Sequence, residues 1–269
     1  MKKIFNEEQI EFMKQHYKDM SYKEIADYLG FTERQIRGKI NGLGLSKLRK
    51  IKSDYFSTID TPLKAYFLGF IFADGYLVYN PNRRVYELGI ELQEDDKYIL
   101  DLLNSELGNL NNIYYTPAKK IIIEGIEANR KPTYCLRIYS KQIVEDLIQK
   151  EIVPNKTHHV SFPKVQEKYF FDFLRGYIDG DGGYYIDRYN RVKIHITSAF
   201  DDILYYLQNR LLDYDIQSSV YKEKERKYRL YIYRKDDINK LVHLLYYDNV
   251  VCLKRKFDKI NNILLGSPV

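Results

Sequence analysis

"FLGFIFADG" (residues 67–75) and "FLRGYIDGDG" (residues 173–182) decide how this chain is read. Each is an apolar run that carries a Gly and closes on Asp-Gly. Gly69 and Ala73 are four apart, as are Gly176 and Gly180, so each pair lies on one face of a helix. Small residues at that spacing let two helix backbones approach closely. A Gly inside a helix costs about 0.5–1 kcal/mol relative to Ala, so its repeated use calls for a packing reason. Two helices packed by these faces bring their C-terminal ends together. Asp74 and Asp181 then converge at two negative dipole ends. Taken singly, each Asp-Gly is an ordinary turn. Taken as a duplicated pair, the carboxylates repel unless a divalent cation sits between them. Hard oxygen donors suit Mg²⁺, which takes one or two carboxylates plus phosphate and water.

Outward from these runs the chain says the same thing twice. Helix 61–75, strand pair 77–93, helix 95–107, strand pair 111–139 and helix 140–150 form the first unit. Helix 166–181, strand pair 183–198, helix 200–212, strand pair 216–234 and helix 235–248 form the second. In "RVKIHITS", Val192, Ile194 and Ile196 share one face, while Arg191, Lys193, His195 and Thr197 share the other. In "YRLYIYR", Leu230 and Ile232 oppose Arg229, Tyr231 and Tyr233. Period two with one polar face predicts a sheet packed on helices on one side and open on the other. The first unit puts Glu87 and Glu91 on its open face, which suits phosphate poorly, beside Gln93 and Arg137, which suit it better. The two halves are therefore not expected to present identical binding surfaces.

"LGFIFADG" and "RGYIDGDG" resemble the LAGLIDADG motif, and the duplicated αββαββα pattern resembles the single-chain LAGLIDADG homing endonucleases. The resemblance covers residues 61 to about 260. It implies an α+β fold of two pseudo-symmetric αββαββα repeats forming a saddle-like DNA-binding surface. It also implies that the last acid of each motif, Asp74 and Asp181, holds the metals, Mg²⁺ with Mn²⁺ as a substitute. Asp179 matches the motif's earlier acid, but Phe72 stands there in the first copy, so Asp179 is expected not to be essential and to sit near the helix packing or in the layer around the site. The family's basic residue after each repeat falls on Lys156 in "VPNKTHH" and on Lys256, or Lys254, in "CLKRKFDK". Its water-positioning residue at the end of the second strand falls on Gln93 and Ser198.

In front of the repeats, "NEEQIEFMKQHYKDMSYKEIADYLGFTERQIRGKINGLGLSK" reads as three short helices capped by Asn6, Ser21 and Thr32, with Gly30 ending the second. Ile25, Ala26, Ile36 and Ile40 face inward. This matches a helix-turn-helix, with Arg34, Gln35, Arg37 and Lys39 on the outer side of the third helix, suited to base edges and phosphate. The expected domains are a helix-turn-helix module at 1–46, a basic linker at 47–60, and repeats at 61–155 and 156–269.

The charge is +6, and residues 1–54 hold 12 Lys and Arg against 8 Asp and Glu. No apolar run approaches a membrane span. Two cysteines without a CxxC spacing support neither a disulfide framework nor a zinc finger. The chain reads as an intracellular monomer, cytoplasmic or organellar, whose partner is double-stranded DNA. The expected activity is metal-dependent, site-specific cleavage of both DNA strands. The alternatives are an intron RNA maturase and a non-cleaving regulator. The retained acid pair favours the nuclease.

Overall fold

The computed structural model describes residues 5–17, 19–45, 51–108, 111–123, 126–154, 161–189 and 191–265. The chain divides into two compact units, Met1–Ile51 and Lys52–Val269. The first holds α1 (Glu7–His16), α2 (Tyr22–Leu29) and α3 (Glu33–Gly42). All three open on a capping box at Asn6, Ser21 and Thr32, which pairs backbone donors that a helix end leaves orphaned. Gly30 ends α2 at φ 71°, a left-handed conformation that glycine adopts without strain. Met13, Ile25, Ala26, Ile36 and Ile40 are the buried core.

The second unit runs α4 (Pro62–Asp74), β1 (Gly75–Asn80), β2 (Val85–Gln93), α5 (Lys97–Glu106), β3 (Ile113–Thr116), β4 (Lys119–Ile123), β5 (Ile126–Arg130), β6 (Thr133–Tyr139) and α6 (Lys141–Gln149). It continues with α7 (Phe170–Asp181), β7 (Gly182–Ile186), β8 (Val192–Ser198), α8 (Asp201–Leu212), β9 (Ser219–Lys224), β10 (Lys227–Ile232), α9 (Lys235–Leu245) and α10 (Lys254–Leu265). Two antiparallel four-stranded sheets have orders β1-β2-β6-β3 and β7-β8-β10-β9. The same order in both is the duplication expected from the sequence.

Two elements go beyond that expectation. The stretch 111–139 is too long for one strand pair, and β4 and β5 form their own two-stranded sheet between β3 and β6. The basic run after α9 opens a further helix, α10. The expected linker is also shorter at its C-terminal side. Residues 52–60 pack into the second unit: the Lys52 N–H donates to the Leu107 carbonyl at 3.1 Å, Phe56 is fully buried, and Ser57 Oγ donates to Asp146 Oδ2 at 2.8 Å. Lys47, Arg49 and Lys50 lie outside the described residues.

α4 and α7 are the centre of the unit. Residues 65–72 of α4 are all buried. A Cβ on Gly69 would fall 1.9 Å from the Phe173 carbonyl oxygen, and one on Gly176 would fall 2.0 Å from the Tyr66 carbonyl oxygen. Backbone meets backbone at both places, so neither position admits a side chain. Against these helices the sheets bury Leu88, Ile90, Leu92, Leu136 and Ile138 from one repeat and Ile194, Ile196, Leu230 and Ile232 from the other. The opposite face of each sheet is open.

Candidate active site

Asp74 and Asp181 are the last residues of α4 and α7. Each helix stops because its next residue, Gly75 or Gly182, turns extended. A Cβ there would lie 2.7 Å from the Ile71 carbonyl oxygen or 2.8 Å from that of Ile178. These glycines supply room at the exit from the helix, with negative φ. The ends converge: a Cβ on Gly180 would sit 2.2 Å from Ala73 Cβ and 3.2 Å from Asp74 Oδ2. The Asp74 carboxylate therefore rests against the residue that precedes Asp181. Both acids are exposed.

Lys256 lies beneath this point, 8% exposed. Its Nζ donates to the carbonyls of Ile178 (2.8 Å), Asp179 (2.5 Å) and Gly182 (2.7 Å), with Gly180 at 3.4 Å. An ammonium has three donors, so these carbonyls occupy all of them. Its positive charge sits on the negative pole of α7. Burial lowers its pKa to about 8, while Asp179, Asp74 and Asp181 pull it back up. At neutral pH it is an ammonium. Lys256 reaches the helix end, whereas Lys254 is exposed, its Nζ 5.2 Å from the centre of the Tyr98 ring. Lys156 lies outside the described residues.

Asp179 is buried and bridges three elements. Its Oδ2 accepts from Tyr66 Oη of α4 at 3.0 Å and from the Leu253 N–H at 2.7 Å. Burial raises its pKa to about 6 against the pull of Leu253, Lys256, Tyr66 and Arg175. Arg175, also in the motif helix, is fully buried. It donates to the carbonyls of Val251 (2.9 Å) and Leu245 (2.8 Å) and to Asp172 Oδ1 (2.8 Å). Sequence reading missed it, because its partners are carbonyls far along the chain.

Gln93 and Ser198 are not equivalent, contrary to the expectation. Gly75 pairs with Ile90 and Gly182 with Ile196, which aligns Ser198 with Leu92. Gln93 lies on the open face. Ser198 faces the helices, 9% exposed, and accepts from the Phe200 N–H at 3.0 Å. It nevertheless lines a cavity of about 120 Å³ together with Asp181, Ala73 and Tyr177.

The second repeat gathers its DNA-contact candidates into two cavities. One of about 480 Å³ is lined by Tyr185, Arg191, Lys193, Tyr221, Tyr231 and Tyr233. Another of about 750 Å³ holds His195, Arg229, Arg255, Lys256 and Lys259 over Gly182 and Gly183. Arg191 and Lys193 pair with Asp187 at 2.8 and 3.3 Å, and Arg229 pairs with Glu223 at 2.8 Å.

The first repeat differs in charge. By register, Glu87, Gly89 and Glu91 of β2 match Lys193, His195 and Thr197 of β8. Glu87 accepts from Tyr76 Oη at 3.0 Å and lies 3.6 Å from Arg137, while Glu91 accepts from Arg130 and Thr133.

In the first unit, Arg34 and Arg37 are exposed on α3. Arg37 pairs with Glu33 at 2.7 Å, and Lys39 Nζ is 5.9 Å from the centre of the Phe5 ring. The Gln35 side-chain oxygen is committed elsewhere: it accepts from the backbone N–H and the hydroxyl of Thr32, at 2.9 and 2.8 Å, in the capping box.

Among the described residues, no group of three or more His, Cys, Asp and Glu could hold a metal ion. The two convergent carboxylates fit Mg²⁺, which leaves its other positions to water and phosphate. They do not fit zinc, which asks for three or four protein ligands.

The model of a LAGLIDADG-like domain matches residues 170–246, from α7 to the residue after α9. No curated protein matches the chain. Among solved structures, a point mutant of I-SmaMI is 15% identical with TM-score 0.51, over 77% of this chain and 92% of that one. I-DmoI in complex with DNA and Ca is 17% identical with TM-score 0.50, over 77% of this chain and 99% of that one. Variants of the homing endonuclease I-DmoI match at 16% identity and TM-score 0.50. Over that share of its length the chain thus has the fold of the LAGLIDADG homing endonucleases. Among the described residues, no helix is long and apolar enough to cross a membrane.

Proposed function

We propose that the chain is a DNA endonuclease that cuts both strands of a specific, long and asymmetric site, using Mg²⁺ or Mn²⁺. The observation that carries this reading is the pair of carboxylates at two glycine-packed helix ends, beneath two sheets with open polar faces. A non-cleaving regulator has no use for two acids that repel a phosphate backbone. Asp74 and Asp181 would hold the cations. A divalent cation bound there supplies charge stabilisation at a scissile phosphate and a more acidic water.

The chain's own residues do the rest. Lys256 neutralises the negative end of α7 and holds the segment bearing Asp181 in place. Gln93, on the open face, orients water in the first half. In the second half Ser198 acts on the site through the turn into α8, where its hydroxyl accepts from the Phe200 N–H. Lys156 is the counterpart of Lys256. Arg191, Lys193, His195, Arg229, Tyr231 and Tyr233 contact one half-site, and Arg137 contacts the other from a more acidic sheet. The protein acts as a monomer, because one chain carries both acids. The first unit acts as a helix-turn-helix, with Arg34, Arg37 and Lys39 toward DNA and Gln35 as the cap of its third helix.

The test is cleavage of a randomised duplex library with Mg²⁺, compared with Ca²⁺ and EDTA. Recovery of one cut sequence with Mg²⁺ alone is the expected result. No cut species at any metal would sink the reading.

A further inference from the structure

We infer that Tyr98 and Asp96, both in the first repeat, are positioning residues for Lys256 in the second. This rests on the reading of Lys256 as a site residue. Lys256 lies in the first turn of α10, whose leading N–H groups have no partner inside the helix. The residue before the helix, Leu253, has no side-chain oxygen to cap them. The Lys254 N–H donates instead to Tyr98 Oη at 2.7 Å, from 156 residues away. The same hydroxyl donates to the Cys252 carbonyl at 2.7 Å. One oxygen thus closes both sides of the turn. Arg255 Nε donates to Asp96 Oδ2 at 2.9 Å and Oδ1 at 3.2 Å, and Asp96 is 2% exposed.

From the other side, the Leu253 N–H is held by Asp179 of α7. Residues 252–255 are therefore a strap fastened to both repeats, and Lys256 is the next residue along it. What Lys256 gathers is the string of carbonyls just before and after Asp181. A change at position 98 in the first repeat is thus felt at the acid of the second. A Phe at 98 would keep the ring and leave the Cys252 carbonyl and the Lys254 N–H unpaired. The Asp96→Asn change weakens the other anchor alone.

The full chain, Tyr98→Phe and Asp96→Asn are acylated with limiting acetic anhydride, and each lysine is quantified by peptide mass spectrometry. Lys224, exposed on β9, is the internal reference, and thermal melts establish that each variant is folded. Lys256 should be protected in the wild type. In Tyr98→Phe its labelling relative to Lys224 should rise roughly five- to tenfold, the factor one net hydrogen bond is worth. Asp96→Asn should give a smaller rise, and it carries the test should Tyr98→Phe not fold. A Lys256 that stays protected in a folded variant overturns the inference, since general loss of stability does not expose one lysine in the folded state. On a cleaved duplex, both variants should lower kcat at unchanged KM. A raised KM at unchanged kcat would make Tyr98 a DNA contact and overturn the inference too. Labelling needs no DNA, so a wild type that cuts nothing defeats the endonuclease reading while the strap is judged by labelling.

Discussion

His195 stands on β8 with its ring over Gly183, where a Cβ would lie 2.6 Å from its Cε1. Its Nδ1 is buried without a hydrogen-bond partner among the described residues. Burial, then the charges of Arg229 and Lys256, push its pKa down from 6.5 to about 4, against an opposing pull from Glu223. The folded state therefore holds the neutral imidazole, while the unfolded chain takes up its proton at higher pH. Stability falls as pH drops from 6.5 toward about 4. His195→Gln should flatten that slope, read as melting temperature across this window; an unchanged slope would assign it to other groups. For the acids, Asp74→Asn and Asp181→Asn should each abolish cleavage at unchanged fold and near-unchanged DNA affinity. Wild-type cutting by either variant in Mg²⁺ would remove it from the metal site. These two acids were legible in the sequence because the motif is repeated. Arg175, Asp179 and Tyr98 were not legible in their contacts. Apart from Asp172 beside Arg175, their partners lie far along the chain, and most are backbone groups that only the tertiary fold brings near.

The two central helices make a sharper prediction than their sequence pattern alone. Gly176→Ala puts a methyl 2.0 Å from a backbone carbonyl that cannot swing aside. Overpacking of this kind costs about 1–3 kcal/mol, and cleavage should fall further than stability, because the shift moves both acids. Gly38, inside α3, has nothing within 4 Å of its would-be Cβ. There Gly38→Ala should stabilise by about 0.5–1 kcal/mol, the helix preference of Ala over Gly. Denaturant titration of the pair reads both signs; a stabilising Gly176→Ala would contradict the close helix contact. The helices and the alternating strands were readable because their apolar periods are strong. The β4–β5 hairpin was not, since "KKIII" and "IEANR" read equally as an extension of neighbouring strands. The turn into α10 was hidden for another reason: its cap comes from Tyr98, not from a local Ser, Thr, Asp or Asn.

At the scale of the molecule, the boundary between units falls at Ile51 and Lys52. All the described candidate catalytic residues lie beyond it. A chain beginning at Lys52 should fold and cut, bind its site more weakly, and show a shallower salt dependence, because fewer phosphates are neutralised. Footprints and salt titrations on both chains read this; identical curves would take DNA contact away from the first unit. The duplication itself was visible in the sequence, but its inequality was visible only in part. Tyr76 pairs with Gly89 in the first repeat, and Gly183 pairs with His195 at the matching place in the second. In each, one large ring covers one glycine, but the strands have traded roles. A Cβ on Gly89 would lie 2.1 Å from the Tyr76 ring. If both repeats descend from one ancestral copy, neither site could have drifted independently. Two large residues at once would collide, so the single-substitution route from one state to the other runs through a double glycine. Each repeat is locked to its own solution by that epistasis, and a graft of either strand alone into the other repeat would inherit the collision or the hole.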